Sequence, residues 1–407
     1  MRRPPTLGVV PAFSPFPALR YPRRDLTTVA APPYDVLTDG DRLALEALDP
    51  VNSVRLDAPR DEDGRDRYRL AADRLAAWLA DGSLVRDAAP SFTIVRMTAT
   101  DAAGTTTSTI GVIGALTLEP PATGGILPHE ETTAKDKSDR LSLIRATRIN
   151  TSPIWGLSMQ PGLSRLIEPT GPADASATDH DGVLHETWQV DDPDRIAAIA
   201  GAIAGSPVVI ADGHHRFETA LAHHAEQGID DAGAAAIMCL IVELAPDALT
   251  VRPIHRQVTS LPASLPDAGA LLTALAPWFD VIPARSGTDA ASVWSATLPD
   301  AGGLGVLTGR GRFLATPRPG VFDAAVDLDS QRLRIALEAL GVEVRYLHDA
   351  DAIAADVADG RAAAGVLLRP ATVAQIRSVA ERRTRMPAKT TFFWPKPRTG
   401  LVFRPLD

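Results

Sequence analysis

Apolar residues recur along this chain with two alternating periods, one of about two residues and one of about three to four. The sharpest change of period falls in Pro207–Leu221. Val208-Val209-Ile210-Ala211 is an apolar, β-branched run, which predicts a buried strand. From Phe217 to Gln227 the spacing is helical, and Gly228 closes it. Asp212-Gly213-His214-His215-Arg216 joins the two.

Upstream, the pattern predicts a strand at Leu7–Phe13, a helix at Thr38–Leu48 and a strand at Asn52–Leu56. Pro32 and Pro33 stiffen an extended segment that presents Tyr34 and Asp35. Asp61–Leu84 reads as a long amphipathic helix with Tyr68, Leu70, Leu75 and Trp78 inward, and Phe92–Thr98 with Thr107–Leu118 as a hairpin. A Gly/Pro-rich loop then leads to a charged block, Pro128–Arg140. A helix at Leu141–Arg148 and a turn at Asn150–Trp155 follow, then a loop at Gly171–Asp181. Next come a strand at Val183–Val190, a helix at Asp192–Ala204 and a strand at Ala234–Leu244, with Leu249–Arg256 pairing beside it. From Leu261 short helices and strands alternate to an aromatic strand within Met386–Lys396, flanked by Lys389 and Lys396. This rhythm predicts an α/β (α+β) protein with mixed sheets in three lobes: 1–120, 121–260 and 261–407.

Composition narrows the class. A chain of 407 residues, 45% hydrophobic and 22% charged, has room for two or three cores at roughly 100–200 residues each. The formal net charge of -9 disfavours a broad nucleic-acid face. One cysteine, Cys239, excludes a disulfide framework and a cysteine zinc site. No apolar run reaches the roughly 18 residues of a membrane span. Met1-Arg2-Arg3-Pro4-Pro5 is not followed by a signal-peptide core, so a cytoplasmic protein is expected.

The joining turn carries the candidate chemistry. A strand that turns into a helix leaves backbone N–H groups and the positive end of the helix dipole at one point. Two imidazoles and a guanidinium there make an anion site, best suited to phosphate. Asp212 adds a carboxylate that can hold a metal ion or take a proton. The plain alternative is a solvated polar turn with Asp212 as a helix cap. His129-Glu130 begins like a zinc-protease motif, but Thr133 stands where the second histidine belongs, which rules that reading out.

Six blocks, in order, resemble the family called domain of unknown function 1015. They are Ala31–Val36, Asn52–Leu56, Asp139–Ile154, Ala211–Arg216, His348–Asp351 and Met386–Thr391. The chain departs from the family at Ala134-Lys135-Asp136-Lys137, where a proline-lysine pair is expected. The histidine-rich motif is also similar to the phosphate-binding turn of the ParB/sulfiredoxin-like superfamily, which includes free serine kinases. The resemblance implies a phosphotransferase acting on a small hydroxylated metabolite such as L-serine, with pyrophosphate, ADP or ATP as donor and Mg²⁺ carried in by the phosphates.

Under that implication Gly213, His214, His215 and Arg216 cradle phosphate, with Arg140, Lys389 and Lys396 as further cations folded back into the cleft. Asp212 or Glu130 accepts the hydroxyl proton; Tyr34 and Asp35 lie at the substrate ammonium; Asn150 and Ser152 shape the pocket. No cage of protein ligands for a metal is expected. Tyr34, Asp35, Glu130, Arg140 and Lys389 are expected in one cleft around the turn. The runner-up is a ParB-like nucleotide-binding or regulatory protein without turnover. A DNA-binding module or nuclease ranks third, because no helix carries a lysine and arginine stripe.

Overall fold

The computed structural model describes residues 11–100, 104–119, 124–128, 137–228, 231–284, 289–323 and 326–407. The chain forms two compact units, Met1–Thr250 with Pro395–Asp407, and Val251–Trp394. Both mix helices with antiparallel or mixed sheet, as the alternating periods predict. Among the described residues no helix is long and apolar enough to cross a membrane.

A nine-stranded sheet organises the first unit. Its central strands are Ile154–Ser158, Ala236–Glu243, Thr106–Thr117 and Phe92–Thr100. Val208–Asp212 pairs antiparallel with Ile154–Ser158 on one side and parallel with Ile126–Pro128 on the other. Residues expected in a first lobe and residues expected in a second thus share this sheet, since Ala236–Glu243 pairs directly with Thr106–Thr117. No divide falls near Pro120: the hairpin that seemed to close a lobe supplies the strand on which later segments add.

Helix His214–Gln227 turns Phe217 and Ala220 into the core beside Ile154, Val208 and Ile210. Cys239 is wholly buried in the same core, and burial pushes its thiol pKa upward.

In the second unit the sheet has six strands, all antiparallel, in the order Phe279–Pro283, Gly311–Pro317, Leu304–Thr308, Ala364–Leu367, His255–Val258 and Arg345–Leu347. His255–Val258 therefore does not pair beside Ala236–Glu243, contrary to the sequence expectation.

Three further expectations need correction. Asn52–Leu56 is not a strand; Val54–Asp57 is a helical turn. Asn52 Oδ1 accepts from Val54 N at 2.9 Å, so a side chain captures the backbone and starts the turn. The long helix begins at Arg67, not near Asp61, because Asp66 caps it and Asp63 and Gly64 have positive φ. The loop at Gly171–Asp181 contains a strand, Ala175–Thr178, which pairs with Leu184–Val190. Its small residues suit a sheet edge as well as a loop.

Candidate functional site

At the end of Val208–Asp212 the pairing with Ile154–Ser158 shifts register between Ile210 and Asp212. Such irregularities re-aim a side chain. Gly213 follows with φ 86°, in the left-handed region. A Cβ there would also come within 2.8 Å of Ile154 Cγ2, so glycine is required both by backbone and by space. The helix His214–Gln227 starts on this glycine without a side-chain cap, and its positive end faces the turn.

Asp212 lies between two cations. Lys396 Nζ donates to Oδ1 at 2.5 Å, and Arg216 Nη2 donates to Oδ2 at 3.1 Å. Burial pushes the Asp212 pKa up, but Lys396, Arg216 and the nearby His214 outweigh it and hold the value at about 2. The chain thus folds Lys396 back onto the turn, as expected. Arg216 is tied further: its Nη1 donates to Ser152 Oγ at 3.0 Å and to the Pro153 carbonyl at 2.7 Å. His214 and His215 form the first helical turn and are partly buried.

A second carboxylate was not singled out from the sequence. Asp57 is completely buried. Thr151 Oγ1 donates to its Oδ1 at 2.6 Å; the Tyr34 N–H and Thr399 Oγ1 each donate to Oδ2 at 3.2 Å. Arg140 Nη1 stands 3.5 Å from Oδ1 and donates to the Asp57 carbonyl at 2.5 Å. Asp57 immediately follows the Asn52–Leu56 block, a position from which the sequence could have singled it out.

Tyr34 connects the two carboxylates. The Arg140 guanidinium lies 4.0 Å from its ring centroid and that of Arg216 6.0 Å. Burial raises the Tyr34 pKa, and the two arginines oppose the rise. Asp35 is exposed on the same 3-10 turn, and its charge acts on Arg216. Asp57, Arg140, Ser152 and Arg216 line one cavity of about 40 Å³.

Of the expected site residues, Tyr34, Asp35, Arg140, Ser152, Asp212, Gly213 and Arg216 are brought together in the first unit. Asn150 borders the cavity, but its Oδ1 is used by the fold: it accepts from Met238 N at 2.9 Å and Arg404 Nη1 at 3.1 Å. Glu130 lies outside the described residues. Lys389 belongs to the second unit, where its carbonyl accepts from Arg256 Nη2 at 3.0 Å.

A mixed α+β framework with a cation-rich strand-to-helix turn is the class of protein these observations define. The chain belongs to the family of proteins of unknown function DUF1015, whose model matches residues 13–335. No curated protein matches it. Among solved structures it is similar to a conserved hypothetical protein from Pyrococcus furiosus, at 14% identity and a TM-score of 0.35 over 67% of this chain and 88% of that one. A free serine kinase in complex with AMP matches at 13% identity and 0.36, over 66% and 83%. SbnI with C-terminal truncation, from Staphylococcus aureus, matches at 11% identity and 0.37, over 70% and 85%. Likeness at this level assigns no activity.

Proposed function

We propose that the protein is a phosphotransferase acting on a small hydroxylated metabolite, with free L-serine the first candidate and pyrophosphate, ADP or ATP the donor. The observation that carries this reading is the charge at the turn: Lys396 and Arg216 flank a single carboxylate at the positive end of a helix. Two cations and the positive end of a helix converge on this one turn, an arrangement in which an anion can bind. The similarity of Asp212–Arg216 to the ParB/sulfiredoxin-like phosphate turn supports the same reading.

In the reaction the acceptor hydroxyl oxygen bonds to the terminal phosphorus, the bond to the donor's leaving phosphate breaks, and the hydroxyl proton passes to a base. Arg216, Lys396 and the first helical turn would hold the phosphates and stabilise the charge on the equatorial oxygens. Mg²⁺ would arrive on the phosphates, since both Asp212 oxygens already face cations. Asp212, held at about 2, is a weak proton acceptor and serves better to orient Lys396 and Arg216. Glu130 is then the stronger candidate for the base, and Tyr34 with Asp35 for the substrate ammonium.

The low basicity of Asp212 favours one second reading, a nucleotide-binding protein without turnover. The test incubates the pure protein with L-serine, Mg²⁺ and each donor in turn, and reads O-phosphoserine by phosphorus NMR. Product with any donor supports the kinase. Nucleotide binding by calorimetry with no product from any donor supports the second reading and ends the first for serine.

A further inference from the structure

The second unit holds a cavity of about 340 Å³, within the roughly 300–1,000 Å³ typical of small-molecule sites. Its charged lining is balanced: Asp327, Asp329, Arg332 and Arg369 all face it. Arg369 grips Asp329 with both Nε and Nη2, at 2.8 and 2.6 Å. Arg332 lies 3.8 Å from the same carboxylate, so two guanidinia share one charge and one positive charge is left over. That surplus sits at the start of the helix Asp329–Leu340, which has no side-chain cap, and the helix dipole adds to it.

Asp327 supplies the opposite sign. Its backbone carbonyl is fixed by Gln375 Nε2 at 3.0 Å, yet its buried Oδ1 has no hydrogen-bond partner among the described residues. Asp327 is itself a lining residue, so a second carboxylate belongs to the cavity wall. A simple anion entering this cavity would meet two carboxylates, and a simple amine would meet two guanidinia. A molecule carrying both charges satisfies both ends. Ser330 and Thr390, whose hydroxyls are bonded to each other at 2.9 Å, also line the cavity, and Leu328 and Leu368 add apolar wall.

We infer that this cavity is a binding site for a free α-amino acid, its carboxylate at Arg332 and the helix start and its ammonium at Asp327. The inference is independent of phosphoryl transfer in the first unit.

Calorimetry on the full chain, with each proteinogenic L-amino acid singly, tests it. Inorganic phosphate, the decarboxylated amine and the des-amino acid of the tightest ligand serve as comparisons. Saturable binding of an amino acid is expected, with both half-ligands weaker by roughly tenfold or more. Asp327→Asn and Arg332→Gln should each weaken it to a similar degree, and Arg216→Gln should leave it unchanged. Thermal melts of the unliganded variants check folding; if Asp327→Asn does not fold, Arg332→Gln and the half-ligands decide. The inference is overturned if no amino acid binds saturably, if phosphate or a half-ligand binds as tightly, or if Arg332→Gln binds unchanged. It is equally overturned if Arg216→Gln abolishes binding, which would locate the amino acid in the first unit.

Discussion

Asp57 and Asp212 are both carboxylates within reach of an arginine in the same unit, but they are held in opposite ways. Asp57 is wholly buried and served mainly by neutral donors, two hydroxyls and a backbone N–H, with Arg140 at 3.5 Å. Asp212 keeps 23% of its side chain exposed and is held by two cations at 2.5 and 3.1 Å. Removing a partner from the first leaves charge buried without compensation; removing one from the second leaves a charge that water reaches. Asp57 therefore ties Val54–Asp57, Tyr34, Thr151 and Thr399 into one framework, while Asp212 sets the charge at the strand-to-helix turn. The more deeply buried acid is the less available to a ligand.

Stability of the two alanine variants puts the contrast to its severest test. Asp57→Ala should lower the unfolding free energy by about 3–5 kcal/mol in urea titrations, because Arg140 and the hydroxyls lose their acceptor. An equal loss from Asp212→Ala would break the comparison.

Acid comes next. The folded pKa of Asp212, about 2, lies below its unfolded value of about 3.9. Its ionised form is thus favoured in the fold, and the contribution is complete above about pH 4 and lost as pH falls through about 2. On the order of 2 kcal/mol is involved, so Asp212→Asn should lose that much at neutral pH and show a flatter acid limb. An unchanged acid limb would show that the two cations do not hold the carboxylate.

Lys396→Met gives the smallest stability change, about 1 kcal/mol or less. Pyrophosphate binding by the same variant should weaken by roughly tenfold or more, with Lys396→Arg in between. Calorimetry that finds pyrophosphate binding intact would remove Lys396 from the proposed anion site.

Much of this was readable in the sequence. The change from period two to period three or four located the strand Val208–Asp212, Gly213 and the helix that follows, because local backbone demands act there directly. Of the residues expected in one cleft, Tyr34 and Arg140 come from separate motifs and do meet, the guanidinium 4.0 Å from the ring centroid. Asp57 was missed because an apolar alternation, Val54 and Leu56, imitates a strand when Asn52 has in fact started a helical turn. The helix Ala291–Ala301 is hard to read from the sequence, because Pro299 lies inside it and reads as a breaker. The lobe boundary failed for a different reason: strand pairing between Thr106–Thr117 and Ala236–Glu243 joins residues more than a hundred positions apart, and no local pattern records it.

Cys239 has a practical consequence. It is the chain's single thiol, lies at the centre of the first unit's sheet and has no exposed surface. Thiol reagents attack the ionised form, which burial suppresses here. Alkylation of the native protein can proceed only when that sheet opens, and each molecule then takes one label. The labelling rate is accordingly a clock for the first unit's opening, with the second unit silent.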